Sequence, residues 1–286
     1  MLGHKLVQRL ARTRSVVAGM RGGTPIPGLD GGADLRLVAG VEAENIASIE
    51  RILDDVQPAA VVNCIGIIKQ LEQAKDPVAS IEVNALFPHR LARVTTDRGI
   101  RLIHFSTDCV FSGKIGNYVE DDFADADDLY GRTKFLGEVG GDRSLTLRSS
   151  IIGHELRGHV SLLDWFISQK GLQTKGYARA LYSGLTTVAM ASLVERILDD
   201  WPDLQGIWQV SSEPISKYEL LCLVNTVYGL GVTVERDETF VCDRRLDSTR
   251  FRRCTGWEPA SWPDMIDELH ADYRITTSSL DKAAIR

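Results

Sequence analysis

His104-Phe105-Ser106-Thr107-Asp108, followed downstream by Tyr130-Gly131-Arg132-Thr133-Lys134, is the part of the sequence on which the fold turns. Residues 101–106 form a short apolar run of strand type, closed by the Ser106-Thr107-Asp108 turn. Tyr130 and Lys134 stand at i and i+4, so on a helix both side chains project from one face. A phenol held beside an ammonium is a proton donor whose conjugate base is stabilised. Reduction of a ketone needs such a donor.

Outward from this stretch, short β-rich runs alternate with helical patterns. The sequence predicts a helix over 4–13, a strand over 15–20 and a Gly- and Pro-rich loop over 24–34. A weak strand follows over 35–39, then an amphipathic helix over 45–56 and a buried-type strand over 60–65. A helix covers 77–98, with Pro88 placed to kink or break it. The Tyr130 helix comes after a long polar loop over 113–129, and 145–152 is again a strand. Repeated strand–helix alternation implies a parallel sheet with helices on both faces.

Past residue 153 the pattern loosens. Helices are expected over 160–169, 188–198, 216–228 and 262–273, and strands over 173–183, 206–210, 232–235 and 239–241. The expected fold class is α/β: a doubly wound, Rossmann-like parallel sheet, N-terminally truncated, with a smaller C-terminal α+β portion. Residues 1–153, with a returning segment near 186–212, would form the dinucleotide-binding part. Residues 154–286 would mainly bind substrate, with a disordered tail from about 275. In open α/β sheets ligands bind at the carboxyl ends of strands. Asn63 and the Ser106-Thr107-Asp108 turn both lie there.

The chain has 286 residues, 44% of them hydrophobic and 25% charged, which gives enough apolar surface for a full core. The net charge of −6 and the lack of a Lys/Arg-rich run argue against nucleic-acid binding. Cys64, Cys109, Cys222, Cys242 and Cys254 are odd in number and scattered, so neither a disulfide framework nor a zinc site is expected. His4, His89, His104, His154, His159 and His270 show no metal-ligand spacing. No apolar run approaches the roughly 18–20 residues that span a bilayer. With no signal peptide read at the start, a cytoplasmic protein without metal or membrane contact is expected.

Three segments together carry a resemblance. They are His104 to Gly113 (HFSTDCVFSG), Tyr118-Val119-Glu120-Asp121-Asp122, and Tyr130 to Glu138 (YGRTKFLGE). In this order they resemble the extended short-chain dehydrogenase/reductase superfamily, and within it the dTDP-4-dehydrorhamnose reductase branch. Asn63-Cys64-Ile65-Gly66 and Val83-Asn84-Ala85 match further motifs of that branch. The resemblance implies that Tyr130 is the general acid, that Lys134 stabilises the tyrosinate and holds the nicotinamide ribose, and that Thr107 hydrogen-bonds the substrate oxygen. It implies cofactor contacts at Gly3, Cys64, Ile65, Gly66 and Asn84. Arg21, after the second strand of the βαβ unit, would accommodate a 2′-phosphate, so NADP(H) is expected over NAD(H). Asp108, Ile151, Arg244, Arg245 and Arg250 are the candidate contacts to a nucleotide-sugar substrate, the three arginines for its diphosphate. A homodimer is possible.

The chain departs from the branch at two places. Met1-Leu2-Gly3 resembles only the end of the G-x-x-G-x-x-G cradle, with Gly3 as its third glycine. The opening strand and the first two glycines are missing. A central strand of roughly five or six apolar residues contributes about 10 kcal/mol, against about 5–15 kcal/mol for a whole domain. Met1 is therefore expected to be an internal methionine, with in-frame upstream DNA encoding a β-branched run and G-x-x-G. The second departure is Ile151, which stands where the branch has a Trp near the sugar. The implied activity is reduction of a nucleotide-linked 4-keto-6-deoxy sugar for polysaccharide or glycoconjugate synthesis. The alternatives are an epimerase on the same scaffold, or a non-catalytic dinucleotide-binding regulatory subunit.

Overall fold

A computed structural model describes residues 1–22, 34–156, 158 and 160–284, with side chains of the last helix described through 276. Most of the loop expected over 24–34 lies outside these residues, as does His159. The first half runs α1 (Leu2–Leu10), β1 (Val16–Met20), β2 (Leu35–Ala39), α2 (Ile46–Val56), β3 (Ala60–Asn63), α3 (Pro77–Ser80), α4 (Phe87–Thr96), β4 (Arg101–Thr107), α5 (Leu129–Leu136) and β5 (Ser144–Ser149). The second half runs β6 (Ile151–Ile152), α6 (Leu162–Ser168), β7 (Gln173–Tyr182), β8 (Leu185–Thr186), α7 (Thr187–Asp199), β9 (Gly206–Gln209), β10 (Ile215–Ser216), α8 (Lys217–Tyr228), β11 (Thr233–Asp243), α9 (Thr249–Thr255) and α10 (Trp262–Ala284).

The main sheet has the order β3-β4-β5-β9, all parallel. Every residue of β4 and β5 is buried, as a parallel sheet covered on both faces requires. On one face Ile103, Phe105, Leu145 and Leu147 pack with Leu6 and Leu10 of α1 and with Leu193, Val194 and Ile197 of α7. On the other, Leu102 packs with Leu53 of α2 and with Phe87 and Leu91 of α4. The doubly wound α/β class read from the sequence is the fold observed. Arg9 Nε donates to Glu195 at 2.6 Å, fixing α1 against α7.

One discontinuity stands out. β1 pairs in parallel with β2 in a separate two-stranded sheet, and no ladder joins β1 to β3. Val16–Met20 of β1 and Ala60–Asn63 of β3 instead line the same cavity, of about 1990 Å³, together with the apolar Leu6, Ile49 and Leu53. Two strand edges thus border one apolar slot. Unpaired edges leave N–H and C=O groups without ladder partners, a standing cost to the fold.

Three expectations from sequence need correction. The helix expected over 77–98 is a series: α3, a wide π turn over Ile81–Leu86, then α4. Pro88 does not break it. Pro88 sits in the first turn of α4, where a missing N–H is tolerated, and the wide turn before it relieves the clash of its ring with the preceding carbonyls. The strands expected over 232–235 and 239–241 are one strand, β11, whose register against β7 shifts between Asp237 and Val241. Asp237 Oδ1 accepts the Thr239 N–H at 2.8 Å and its hydroxyl at 2.5 Å, a local turn that absorbs the extra residues as a bulge. Finally, α10 continues through Ala284, where disorder was expected from about 275. Lys5 of α1 pairs with Asp272, which ties α10 to α1 just before this segment, and within the helix Thr276 Oγ1 donates to the Asp272 carbonyl at 3.0 Å.

Candidate active site

The site is assembled at the carboxyl end of β4. Thr107 Oγ1 donates to Asp108 Oδ1 and accepts the Cys109 N–H, each at 3.1 Å, which turns the chain into a short 3-10 turn over Asp108–Val110. α5 starts beside it. Asp128 caps this helix by accepting the Gly131 N–H at 2.8 Å, and Lys69 Nζ holds the same carboxylate at 2.7 Å. Gly131 decides the approach: a Cβ there would lie 2.2 Å from the Cys109 carbonyl oxygen. Only a glycine lets the first turn of α5 rest on the Asp108–Val110 turn. Tyr130 is thereby carried to the cavity that Thr107 also lines. Gly137 plays the same part at the other end, where a Cβ would meet the Asn84 carbonyl oxygen at 1.9 Å.

Lys134 lies one turn beyond Tyr130. It is buried, and its Nζ donates to the Phe105 carbonyl of β4 at 2.6 Å. Burial lowers this ammonium to about 8, against the opposing pull of Glu138 and Cys64. Burial, reinforced by Cys109, also pushes the Tyr130 phenol above its ordinary value, so it keeps its proton throughout the neutral range. Cys64 faces the cavity and is accessible there, yet protein surrounds it, and its thiol is pushed up to about 12. Burial does the same to Cys109, beside Tyr130. Neither is poised as a nucleophile.

Behind the site lies a buried polar network. Arg148 of β5 grips Glu138 with two parallel bonds, Nε to Oε1 and Nη2 to Oε2, both 2.8 Å. The side chains are 4% and 2% exposed, so the pair is fully desolvated. Ser106 donates to Glu138 Oε1 at 2.6 Å, and Arg148 Nη1 donates to the Glu120 carbonyl at 3.0 Å. Glu120 Oε1 in turn accepts the Gln209 N–H of β9 at 3.0 Å. Phe111 stacks on Tyr118 at 4.1 Å, and the Tyr118 hydroxyl accepts the N–H groups of Gly113 and Ile115 at 3.1 Å.

The cavity brings together Gly3, Cys64, Ile65, Gly66, Thr107, Asp108, Tyr130, Lys134, Ile151 and Arg244 of the residues expected from sequence. The loop after β3 is held over it by two carboxamides. Asn63 Oδ1 accepts the Ile65 N–H at 3.0 Å, while Asn84 accepts the Ile67 N–H at 2.8 Å and donates to its carbonyl at 2.9 Å. Asn84 therefore supports the rim from behind. A Cβ at Gly3 would come within 3.3 Å of the Cys64 Cβ, so the start of α1 closes on this loop.

Besides Asn84, three of the expected residues do not line the cavity. Arg245 is turned to Asp243, with Nη2 to Oδ2 at 2.6 Å. The Arg250 guanidinium lies over the Trp208 ring at 4.1 Å and donates to the Ile207 carbonyl. Arg21 is exposed and pairs with Glu44 at 3.5 Å. Conversely, Lys217, Tyr182, Phe240, Cys242 and Tyr177 line the cavity without having been singled out from sequence. Lys217 carried one signal. It occupies the first turn of α8, directly after the N-cap Ser216, where the helix dipole disfavours a cation. Among the described residues no group of three or more His, Cys, Asp or Glu converges as a metal site, and no helix is long and apolar enough to cross a membrane.

Comparison with known proteins follows the same outline. A family model described as the RmlD substrate binding domain matches residues 1–151. A dTDP-4-keto-6-deoxy-D-glucose reductase of Streptomyces niveus is 37% identical over 92 residues, covering 32% of this chain and 32% of that protein. The methionine adenosyltransferase 2 subunit beta of Bos taurus is 25% identical over 258 residues, covering 77% of this chain and 75% of that one. This chain thus spans about a third of the Streptomyces reductase, and 59% of the Xenopus laevis counterpart of the Bos taurus subunit. Among solved structures, a dTDP-4-dehydrorhamnose reductase from Bacillus anthracis in complex with NADP superposes with a TM-score of 0.75 at 16% identity, over 91% of this chain and 100% of that one. At that identity the likeness is one of fold.

The buried pair behind the site can be tested without any ligand. Arg148→Met leaves the Glu138 carboxylate without its partner and is expected to destabilise the protein by about 3–5 kcal/mol. The double variant Arg148→Met with Glu138→Leu should recover much of that loss. Urea unfolding measures both, and a single-variant cost under about 1 kcal/mol would overturn the assignment.

Proposed function

We propose that this chain, which belongs to the RmlD substrate binding domain family, is a nicotinamide-dinucleotide-dependent reductase acting on a nucleotide-linked 4-keto-6-deoxy sugar in polysaccharide or glycoconjugate biosynthesis. The observation that carries this reading is that Thr107, Tyr130 and Lys134 line one cavity at the carboxyl end of β4, with the Lys134 ammonium fixed one turn from Tyr130 by the Phe105 carbonyl. The dinucleotide, when bound, supplies the hydride.

The chain's own residues supply the rest. Thr107 and Tyr130 hold the carbonyl oxygen, and Tyr130 delivers its proton there as charge develops. The cost of a buried tyrosinate is large, and the Lys134 charge offsets it in a site of low dielectric. Gly3, Cys64, Ile65 and Gly66 form the floor against which the dinucleotide lies, with Asn84 holding that floor in place. Asp108 and Ile151 border the sugar, and Arg244 alone of the three arginines is left for the diphosphate. Residues 1–153, with β9 and α7 returning, would form the dinucleotide half, and residues 154–286 the substrate half. NADP(H) is the preferred cofactor on the strength of Arg21, exposed at the end of β1 and paired with Glu44 at 3.5 Å. Exposed Val78, Ile81, Leu86, Phe135 and Leu136 on the neighbouring α3–α5 segments support a homodimer through this face. Five free cysteines accord with a cytoplasmic setting.

A second reading, a non-catalytic dinucleotide-binding subunit, is favoured by the longer match to the methionine adenosyltransferase 2 subunit beta. Thr107, Tyr130 and Lys134 stand together in this chain, which favours turnover.

With NADPH and dTDP-4-keto-6-deoxyglucose, the purified protein is expected to consume NADPH stoichiometrically. Tyr130→Phe should lower kcat by about 10²–10⁴-fold with NADPH affinity unchanged. Full activity in that variant would refute the proton-donor role, an epimerase would show no net oxidation of NADPH, and a regulatory subunit would turn over no 4-keto sugar. Separately, kcat/KM should be higher with NADPH than with NADH, and Arg21→Ala should shrink the ratio. Equal use of both cofactors, unchanged in the variant, would remove the NADP(H) preference.

A further inference from the structure

On the reductase reading above, the nucleotide half of the substrate still lacks a seat, and the end of β11 provides the side chains for one. Phe240, Cys242 and Arg244 alternate along the strand end and all line the cavity. Alternation puts them on one face of the strand. The Arg244 N–H donates to the Leu181 carbonyl at 3.3 Å, so the ladder with β7 carries on past Asp243. Four residues of strand separate Arg244 from Phe240, about 13 Å, which suits the span from a diphosphate to the base of a nucleotide.

The two ends of this row differ in chemistry. At one end, Lys217 of α8 lies with its Nζ 3.7 Å from the centroid of the Tyr182 ring. Among the described residues it forms no ion pair or hydrogen bond. The charged and titratable groups around it are Asp108, Cys109, Cys242, Arg244 and the Tyr182 phenol. Arg244 is fixed by Nε donating to the Phe111 carbonyl at 3.0 Å and by Nη1 against Cys109 Sγ at 3.8 Å. Two cations therefore line the cavity without a carboxylate in salt-bridge contact with either. At the other end, Phe240 is 49% and Tyr177 40% exposed, with ring centroids 5.1 Å apart. Two half-exposed aromatic faces at a cavity wall are suited to stacking a planar base.

We propose that the nucleotide half of the substrate lies along the end of β11, its diphosphate between Lys217 and Arg244 and its base against Phe240 and Tyr177. Lys217 is then a specificity-determining residue: it requires a dianionic group next to the sugar. Cys242 lies between the two ends, a small side chain that leaves room for the ribose. Burial lowers the Lys217 ammonium to about 8, the Asp108 charge opposing. The free site therefore carries its full charge below that pH and loses part of it above, while Arg244 stays charged.

Calorimetric titration of the full chain with UDP, dTDP, uridine and inorganic pyrophosphate tests this without any turnover. Lys217→Met is expected to weaken UDP, dTDP and pyrophosphate by about 10–100-fold, leaving uridine and NADPH unchanged. Phe240→Ala should weaken UDP and uridine by about tenfold and leave pyrophosphate unchanged. In the wild type, nucleoside diphosphate affinity should fall as pH rises through about 8 to 9.5, and Lys217→Arg, which keeps its charge, should flatten that profile. The flattening separates a charge role from a packing role, and thermal melting of each variant confirms that it is folded. Unchanged UDP and dTDP affinity in Lys217→Met, equal loss of pyrophosphate and UDP in Phe240→Ala, or no binding of UDP and dTDP by the wild type would each overturn the proposal. Failure of the reductase reading would appear separately, as no NADPH oxidation by a protein that still binds nucleoside diphosphates.

Discussion

The twin hydrogen bonds between Arg148 and Glu138 are the constraint on which the site's geometry rests. They join β5 to the residue just past α5, while Ser106 adds the end of β4 to the same carboxylate. Through Glu120 the arginine also reaches β9. Four elements that meet at the carboxyl edge are thus fixed relative to one another by a single buried pair. Two charges out of water are costly, and their attraction compensates only when every lone pair and proton is used. Here each carboxylate oxygen has an arginine bond, with Ser106 as a third donor. The motif residues that touch no reacting atom, Ser106, Glu120 and Glu138, belong to this frame. Thr107, Tyr130 and Lys134 are what the frame presents.

How much of this could be read from sequence follows from the range of each interaction. The Tyr130–Lys134 pair was legible because four residues on a helix fix their own geometry. The parallel sheet was legible because β4 and β5 are short apolar runs separated by helical patterns. Gly131 and Gly137 could be read as motif letters, but not as contacts, since the oxygens they approach belong to Cys109 and Asn84 on other elements. β11 was split in two because the charged Arg236, Asp237 and Glu238 carry no strand pattern of their own, while the pairing that carries the strand past them comes from β7. Arg245 and Arg250 were chosen by residue type alone. Their partners, Asp243 and Trp208, take them away from the cavity. Lys217 was passed over because nothing near it in sequence announces that its helix starts against Tyr182.

The slot between β1 and β3 separates two parts of the molecule that have different supports. Thr107, Tyr130 and Lys134 stand on β4 and on α5 beside it, and β4 and β5 are each paired on both sides within the four-stranded sheet. β1, with Arg21 just past its end, is tied through β2 and through packing, and faces the slot on its other side. Whatever loosens β1 would therefore disturb the β1–β2 side of the cavity before it disturbs the Tyr130–Lys134 pair.

The two flush glycines of α5 have a consequence for how the protein fails. An eight-residue helix has little stability of its own, and Gly131 in its first turn weakens it further. α5 is helical because the Cys109 and Asn84 carbonyls leave it a bed shaped to a bare backbone at both ends. It behaves as a key cut for one lock: it cannot slide or roll and remain seated. The seat of the Tyr130–Lys134 face against β4 is therefore a property of tertiary packing, while the four-residue spacing belongs to the helix, and warming should release α5 in one step, when the lock opens, with no gradual fraying beforehand.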